Sequence, residues 1–218
     1  RNLMPDAGSY IYSGDPEGRN WFRQTKIHQT LTLNGENSRY EPELSLWKPG
    51  KDLDILVVEN KSYPELNHRR SVFFVDKKYF IIVDDAIGKA TGDIDLHFQL
   101  APGKAVYNYR NFSVSSGHPE GWNVLVRTLD QKGMKLVEEK GWVSFRYTIK
   151  EPRPAFCYNL KKETKDQTVR FITVITPCSG SQPEIKVDVK DISEPGYQKI
   201  LLKVKSEGKS RKIGYEIN

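Results

Sequence analysis

The chain has 218 residues, a length that suits one large all-β domain or two small ones. Its longest apolar runs, residues 55–58 and 79–83, are far shorter than the roughly 20 residues of a membrane-spanning helix, so the sequence excludes a membrane span. The net charge of +6 comes from Lys and Arg residues interleaved with acids, which is compatible with a polyanionic partner and does not indicate nucleic-acid binding.

Two neighbouring motifs lie near the start of the chain. The chain opens with Arg1-Asn2-Leu3, without an initiator methionine or a signal-peptide pattern. We therefore expect a segment of a longer protein, with a mature chain after signal-peptide removal as the alternative. Asp6, in residues 4–15, and His28, in residues 21–35, each begin a short strand pattern. A hairpin through residues 14–18 would bring the two side chains together.

Alternation of apolar and polar residues continues along the chain, and no apolar stripe of helical length appears. Residues 72–83 are predicted to form a hairpin that turns at residues 76–78. Many short strands at this spacing predict an all-β fold, a large antiparallel β-sandwich. The predicted strands are Ser9–Ser13, Lys26–Leu33, Asp54–Glu59, Ser71–Asp76, Tyr79–Asp84, Ile94–Leu100, Ala105–Tyr109, Asn123–Thr128, Met134–Val137, Val143–Ile149, Thr168–Thr176, Glu184–Val189, Lys199–Lys205 and Lys212–Ile217.

We predict a single domain over residues 1–218. The nearest candidate boundary, residues 177–183, would separate only two hairpins, too few strands to fold alone. Cys157 and Cys178 are predicted to be small buried side chains rather than a disulfide, because each lies in an apolar strand context. The tryptophans are predicted mainly for the core, with sugar stacking as the alternative; they are Trp21, Trp47, Trp122 and Trp142.

Asp6 and His28 are the candidate metal ligands. Alternation within residues 26–33 places His28 on the polar side of a predicted strand, whereas Asp6 could instead be a turn residue that binds nearby backbone N–H groups. An aspartate with a histidine suits zinc or another transition ion better than calcium, but two residues are fewer than the four ligands typical of zinc. The remaining histidines, His68, His97 and His118, are predicted to have structural or solvent-exposed roles.

Both motifs resemble those of one known family. Residues 5–8, Pro-Asp-Ala-Gly, and residues 23–33, Arg-Gln-Thr-Lys-Ile-His-Gln-Thr-Leu-Thr-Leu, are similar to segments of the heparinase II/III-like polysaccharide lyases, closest to the heparinase III type, which cleaves heparan sulfate. The resemblance continues through residues 63–75, 79–85, 96–103 and 173–177. It covers about the first 180 residues, and the two opening motifs are its most specific part.

The resemblance implies a lyase that breaks hexosamine–uronic acid linkages by β-elimination and leaves a 4,5-unsaturated uronate. It also implies a structural divalent ion, zinc or calcium, held by Asp6, His28 and a histidine that would precede Arg1. The asparagine, tyrosine and histidine that carry the chemistry in the family match no residue here. The catalytic residues are therefore expected upstream, largely in an α/α-toroid domain, and this chain alone is expected to be inactive.

The same resemblance implies the partners and the location. We expect heparan sulfate as substrate, the N-terminal toroid domain of the same protein as intramolecular partner, and a periplasmic or secreted bacterial enzyme. Arg23 and Lys26 are candidate contacts for substrate anions, although exposed strand cations often only interact with solvent. The alternatives are a non-catalytic carbohydrate-binding β-sandwich, or a lyase that acts on another acidic glycan such as alginate.

Overall fold

Strands make up most of the protein. The computed structural model describes residues 2–191 and 198–217. Within these ranges it contains one short helix, α1 (Pro16–Trp21), a 3₁₀ turn (Thr25–Ile27), and the strands β1 (Leu31–Leu33), β2 (Pro42–Lys48), β3 (Leu53–Tyr63), β4 (Leu66–Val75), β5 (Tyr79–Gly88), β6 (Gly92–Gln99), β7 (Ala105–Asn108), β8 (Ser113–Ser116), β9 (Asn123–Thr128), β10 (Lys135–Arg146), β11 (Ile149–Lys162), β12 (Val169–Cys178), β13 (Ile185–Asp191), β14 (Gln198–Ser206) and β15 (Lys209–Ile217).

These strands form three sheets with antiparallel pairing. The outer sheet has the order β1-β6-β11-β10, the central sheet β2-β3-β4-β5-β12-β9-β8-β7, and the small sheet β13-β14-β15. A core that includes Phe98, Tyr158 and Phe171 joins the outer and central sheets. A second core, with Phe73 and Leu202, joins the central and small sheets. The predicted all-β antiparallel sandwich is confirmed, with the small sheet as a third layer.

Burial on both faces explains the apolar run in β5. Ile81 and Val83 belong to the core beneath the small sheet, and Ile82 belongs to the core beneath the outer sheet. Successive side chains of a strand point to opposite faces, so a strand in the middle layer needs apolar residues at consecutive positions. The predicted hairpin of residues 72–83 is confirmed, because Val75 pairs with Tyr79 across the turn.

The prediction for the N-terminal segment is wrong. Residues 9–13 do not form a strand, and α1 begins at Pro16, inside the segment where a hairpin was predicted. Asp15 caps this helix by accepting a hydrogen bond of 2.8 Å from the Gly18 N–H, and Pro16 occupies the first helical position. An aspartate cap followed by proline favours a helix start, and here this local signal overrides the turn-forming glycines.

The predicted strand Lys26–Leu33 is also wrong at its start. Its first residues form the 3₁₀ turn, so His28 follows a turn, and only Leu31–Leu33 is a strand. Thr32, which has the same parity as His28 within residues 26–33 and would share its polar face in a regular strand, is fully buried.

Three strands were not predicted: β2, β8 and β11. The last is the longest in the structure and contains Pro152 and Pro154, residues that argue against an internal strand. Both prolines pair with β10, and pairing of β11 with β6 begins only at Ala155. The proline nitrogens therefore lie where one side of β11 has no strand partner in the outer sheet.

The small sheet follows the candidate boundary at residues 177–183 and packs on the central sheet. Arg127 donates a 2.6 Å hydrogen bond to the carbonyl of Ile185, and the hydroxyls of Ser71 and Tyr215 lie 2.8 Å apart. The single domain over residues 1–218 remains a prediction. In the described ranges, no helix has the length and apolarity required to cross a membrane.

Candidate metal and substrate site

Asp6 and His28 lie side by side at the surface, although 22 positions separate them. His28 Nδ1 is 2.7 Å from Asp6 Oδ1, and their side chains are 38% and 67% exposed. The structure thus brings together the two residues singled out from the sequence. It does so through two loops rather than through the predicted hairpin.

The Asp6 carboxylate is stabilised in its ionised form. Burial opposes ionisation, but hydrogen bonds from His28 and from the backbone N–H of Gly8 outweigh it and lower the pKa of Asp6 below its usual value. Gly8 has a φ of +77°, and a Cβ at this position would lie 2.2 Å from the carbonyl oxygen of Ser144. The loop that presents Asp6 therefore requires glycine at residue 8.

Arg153 on β11 fixes the backbone next to both residues. Its buried guanidinium donates from Nη1 to the carbonyl of Pro5 at 2.5 Å and from Nη2 to the carbonyl of Ile27 at 3.4 Å. Burial lowers the pKa of Arg153 to about 10, and the nearby charge of Asp6 opposes this shift. One arginine thus connects the residues that directly precede Asp6 and His28.

A small apolar cluster supports the same two loops. It contains Ala7, Phe22 and Ile27, with Tyr10, Trp21 and Trp142 packed around them. Ala7 follows Asp6 and Ile27 precedes His28, so burial of these neighbours restricts where the two polar side chains can go.

A buried ionic network lies on the central-sheet side of the loop after His28. Arg70 donates from Nη1 to the carbonyl of Gln29 at 2.6 Å, and the Gln29 side chain donates to the carbonyl of Met4 at 3.0 Å. Asp84 accepts from Arg70 Nε at 2.7 Å and lies 2.6 Å from His68 Nε2. Asp84 is fully buried, yet the charge of Arg70 and the hydrogen bond with His68 lower its pKa despite that burial.

The donor set of Asp6 and His28 fits a divalent metal ion. Carboxylate oxygen and imidazole nitrogen are both zinc ligands. His28 Nδ1 and Asp6 Oδ1 face each other at 2.7 Å, so an ion held by both side chains would take the place of this hydrogen bond. Two protein donors leave at least two positions of a four-coordinate zinc to other ligands.

A second group of potential ligands is buried in the outer sheet. One ligand atom from each of His97, Glu139 and Cys157 lies within 4.8 Å of the others, so this group could hold a metal ion. His97 is already bonded at both nitrogens, to Glu139 at 2.8 Å and to Thr32 at 2.9 Å. Burial raises the pKa of the Cys157 thiol, and the acids around it add to the shift. No sequence spacing reveals this group, because it depends on the register of three strands.

Arg23 and Lys26, the candidate substrate contacts, are exposed between α1 and β1. Lys26 lines a cavity of about 170 Å³, whose wall also includes Trp21, Gln99, Glu139 and Arg153. The cavity lies against the outer sheet.

Several other predictions have clear outcomes. Both cysteines are buried and free, as predicted, and His68 and His97 are buried and hydrogen-bonded. The core prediction for tryptophan is wrong for Trp47 and Trp122, each 56% exposed.

Comparisons with known proteins agree on one family. Residues 1–188 match the family model described as heparinase II/III-like, C-terminal. The chain is 39% identical to a heparin-sulfate lyase of Bacteroides stercoris, covering all of this chain and 33% of that protein. It is also 39% identical to a heparin-sulfate lyase of Pedobacter heparinus, covering 86% of this chain and 29% of that one.

The fold gives the same result. The crystal structure of the heparan sulfate lyase HepC from Pedobacter heparinus superposes with a TM-score of 0.89 and 36% sequence identity, over 99% of this chain and 34% of that chain. This chain therefore spans about a third of the length of the relatives that it matches.

Proposed function

The chain belongs to the heparinase II/III-like, C-terminal family, and from this membership we propose that it is the β-sheet part of an enzyme that cleaves heparan sulfate by β-elimination. The observation that carries the proposal is the match, over nearly the whole chain in sequence and fold, to a solved heparan sulfate lyase. A catalytic role for the complete protein rests on relatives that are three times as long.

The proposed reaction divides the work between this chain and an upstream segment. In a β-elimination of this kind, the uronate carboxylate is neutralised, a base removes the C5 proton, and an acid protonates the leaving C4 oxygen. The bond between C4 and the glycosidic oxygen breaks while the C4–C5 double bond forms. We assign these proton transfers upstream, because the family's asparagine, tyrosine and histidine match no residue of this chain.

We propose that the residues of this chain bind a metal ion and position the loops beside the cleft. Asp6 and His28 are proposed to hold a divalent ion, zinc or calcium, in a structural role. That ion would supply a fixed positive charge that ties the two loops to a ligand from upstream. Arg153 and the cluster around Ile27 support the loops from below, and we propose that they keep this edge of the cleft in place.

Arg23 and Lys26 are proposed to contact carboxylate or sulfate groups of the substrate. Both are exposed, on the same connection that leads to His28. A polyanionic substrate favours such cations, since each desolvated ion pair with a sulfate adds charge-assisted hydrogen bonds. From the family we also propose a periplasmic or secreted bacterial enzyme.

The test compares the full-length protein with this chain on heparan sulfate. Formation of the unsaturated uronate is followed by its ultraviolet absorbance, and we expect it only with the full-length protein. Alginate serves as the second substrate. Activity on alginate alone would favour a lyase for another acidic glycan, and turnover by the 218-residue chain would contradict the upstream location of the catalytic groups.

A further inference from the structure

An exposed aromatic surface lies next to the Asp6 loop. Tyr12, Phe145 and Tyr147 are 64%, 60% and 56% exposed, and Ile149 beside them is 58% exposed. The rings of Tyr12 and Tyr147 are nearly parallel, with centroids 6.0 Å apart and planes 23° apart. Single exposed apolar residues are common, but several of them at one hairpin tip, two with stacked rings, are typical of a binding surface.

The backbone holds these rings in place. Tyr12 lies in the loop after Asp6, and Phe145 and Tyr147 lie at the tip of the β10–β11 hairpin. The Ser144 N–H donates to the carbonyl of Ala7 and the Thr148 N–H to the carbonyl of Tyr10, both at 2.8 Å. The loop thus runs along the hairpin with strand-like hydrogen bonds, and the paired rings are pre-organised for binding.

Backbone strain marks the same place. Tyr10 and Thr148, joined by one of these hydrogen bonds, have φ values of +56° and +63°. Left-handed backbone costs energy at residues other than glycine, and such strain tends to occur at ligand-binding sites.

Two lysines contact the neighbouring rings of Tyr10 and Trp142, and an arginine lies at the hairpin tip. Lys150 Nζ lies 4.9 Å from the ring centroid of Tyr10 and 5.4 Å from that of Trp142, and Lys140 Nζ lies 5.8 Å from Trp142. Arg146 is exposed at the hairpin tip. Among the described residues, none of these three cations forms a salt bridge with an acid. Their charge is therefore available to an anionic ligand.

We propose that this surface, called the hairpin-tip surface and formed by Tyr12, Phe145, Tyr147, Lys150 and Arg146, binds anionic sugar rings. The C–H face of a pyranose packs on the tyrosine rings, while its carboxylate or sulfate contacts the ammonium and guanidinium groups. The proposal rests on the proposed function, since it adds a binding subsite for the same acidic glycan beside Asp6 and His28.

A sugar fits this surface better than a protein partner does. The centre of a protein–protein interface is depleted of lysine and of charge in general, whereas here Lys150 lies over the ring of Tyr10, two residues before Tyr12 in the same loop. Exposed tyrosine rings next to cations that have no acidic partner in the described part of the chain instead match a ligand with an apolar face and anionic edges.

The experiment measures binding of a heparan sulfate hexasaccharide to this chain by isothermal titration calorimetry. The Tyr12→Ala/Tyr147→Ala double variant should bind roughly tenfold more weakly, since each aromatic contact contributes a factor of a few. Tyr40→Ala is the matched control, because Tyr40 is 89% exposed and lies before β2, and its affinity should be unchanged. Lys150→Gln should weaken binding and reduce its salt dependence, while Lys132→Gln, at the exposed β9–β10 turn, should not.

Two outcomes would overturn the proposal. In one, the double variant binds the hexasaccharide as tightly as the unchanged chain does. In the other, the double variant melts normally as the isolated chain but lowers the stability of the full-length protein with KM unchanged, which would identify a contact between domains. If the full-length protein does not cleave heparan sulfate, the lyase proposal fails, yet tyrosine-dependent binding of the acidic hexasaccharide would still support this surface.

Discussion

Arg153 donates a 2.5 Å hydrogen bond to the carbonyl of Pro5, a residue 148 positions earlier in the chain. The same guanidinium reaches the carbonyl of Ile27, so one buried side chain of the outer sheet joins the two loops that carry Asp6 and His28. Because these carbonyl groups are buried, no water can replace the guanidinium as their hydrogen-bond donor. The geometry of the candidate metal site therefore depends on a residue that does not belong to it.

The first prediction concerns this arginine. Arg153→Ala should lower the free energy of unfolding of this chain by about 2–4 kcal/mol, because two buried carbonyls lose their donor. Urea denaturation measures the change, and Arg110→Ala, at an exposed arginine, is the control. Arg153→Lys should restore part of the loss, since an ammonium can still donate to one carbonyl. An alanine variant as stable as the unchanged chain would contradict this role.

The second prediction concerns Asp84 and acid. Burial favours the neutral form of this carboxyl. The charge of Arg70 and the hydrogen bond with His68 outweigh burial and lower the pKa of Asp84 below its usual 3.8. A carboxyl with a lowered folded pKa stabilises the fold above its unfolded pKa and loses that contribution as the pH falls through the folded pKa. The stability of the unchanged chain should therefore decline below about pH 4.

Substitution of Asp84 gives the matching test. Asp84→Asn should cost roughly 3–5 kcal/mol at neutral pH, because the fully buried carboxylate that pairs with the partly buried Arg70 and with His68 is lost, and it should flatten the acid decline. Urea denaturation between pH 3 and pH 7 follows both effects. Asp130→Asn, at an exposed aspartate, should leave the pH profile unchanged. An Asp84→Asn variant with the unaltered acid profile would assign the decline to other groups.

The alternation of apolar and polar residues predicted strand positions correctly where a strand has one apolar face. The predicted strand Asn123–Thr128 coincides with β9, and the turn between Val75 and Tyr79 was located correctly. In both places, alternation and turn residues agree with the final packing. The pairing of β11 with β10 and β6 could not be predicted, because its prolines are tolerated only through the particular strand order of the outer sheet.

The candidate site was predictable in part. The juxtaposition of Asp6 and His28 was expected, but for the wrong local reason, because a capped helix rather than a hairpin connects them. The supports were not predictable. Arg153 and Arg70 act through carbonyl groups of residues 126 and 41 positions away in the chain, and no periodicity encodes such contacts.

The third prediction locates the metal. Zinc added to this chain should raise its melting temperature, since an ion that binds only the folded state stabilises that state. At a zinc concentration of 100 times the Kd, the stabilisation is about 2.7 kcal/mol. Asp6→Asn/His28→Ala should abolish this shift, and Cys157→Ser should preserve it. Cys178→Ser is the control for loss of a buried thiol. Loss of the shift in Cys157→Ser alone would place the ion at the group of His97, Glu139 and Cys157 instead.

The last prediction concerns His28 in the full-length protein. His28→Ala should lower thermal stability, bound metal and lyase activity together, because loss of a ligand loosens the loop that the ion is proposed to tie to the upstream strand. Melting temperature, metal content and turnover of heparan sulfate are measured on the same preparation. Tyr40→Ala, at an exposed site away from the loop, is the control. If activity fell while metal content and stability stayed unchanged, the loop would be intact without His28. His28 would then contact the reacting sugar itself, because loss of a metal ligand would have lowered metal content and stability as well.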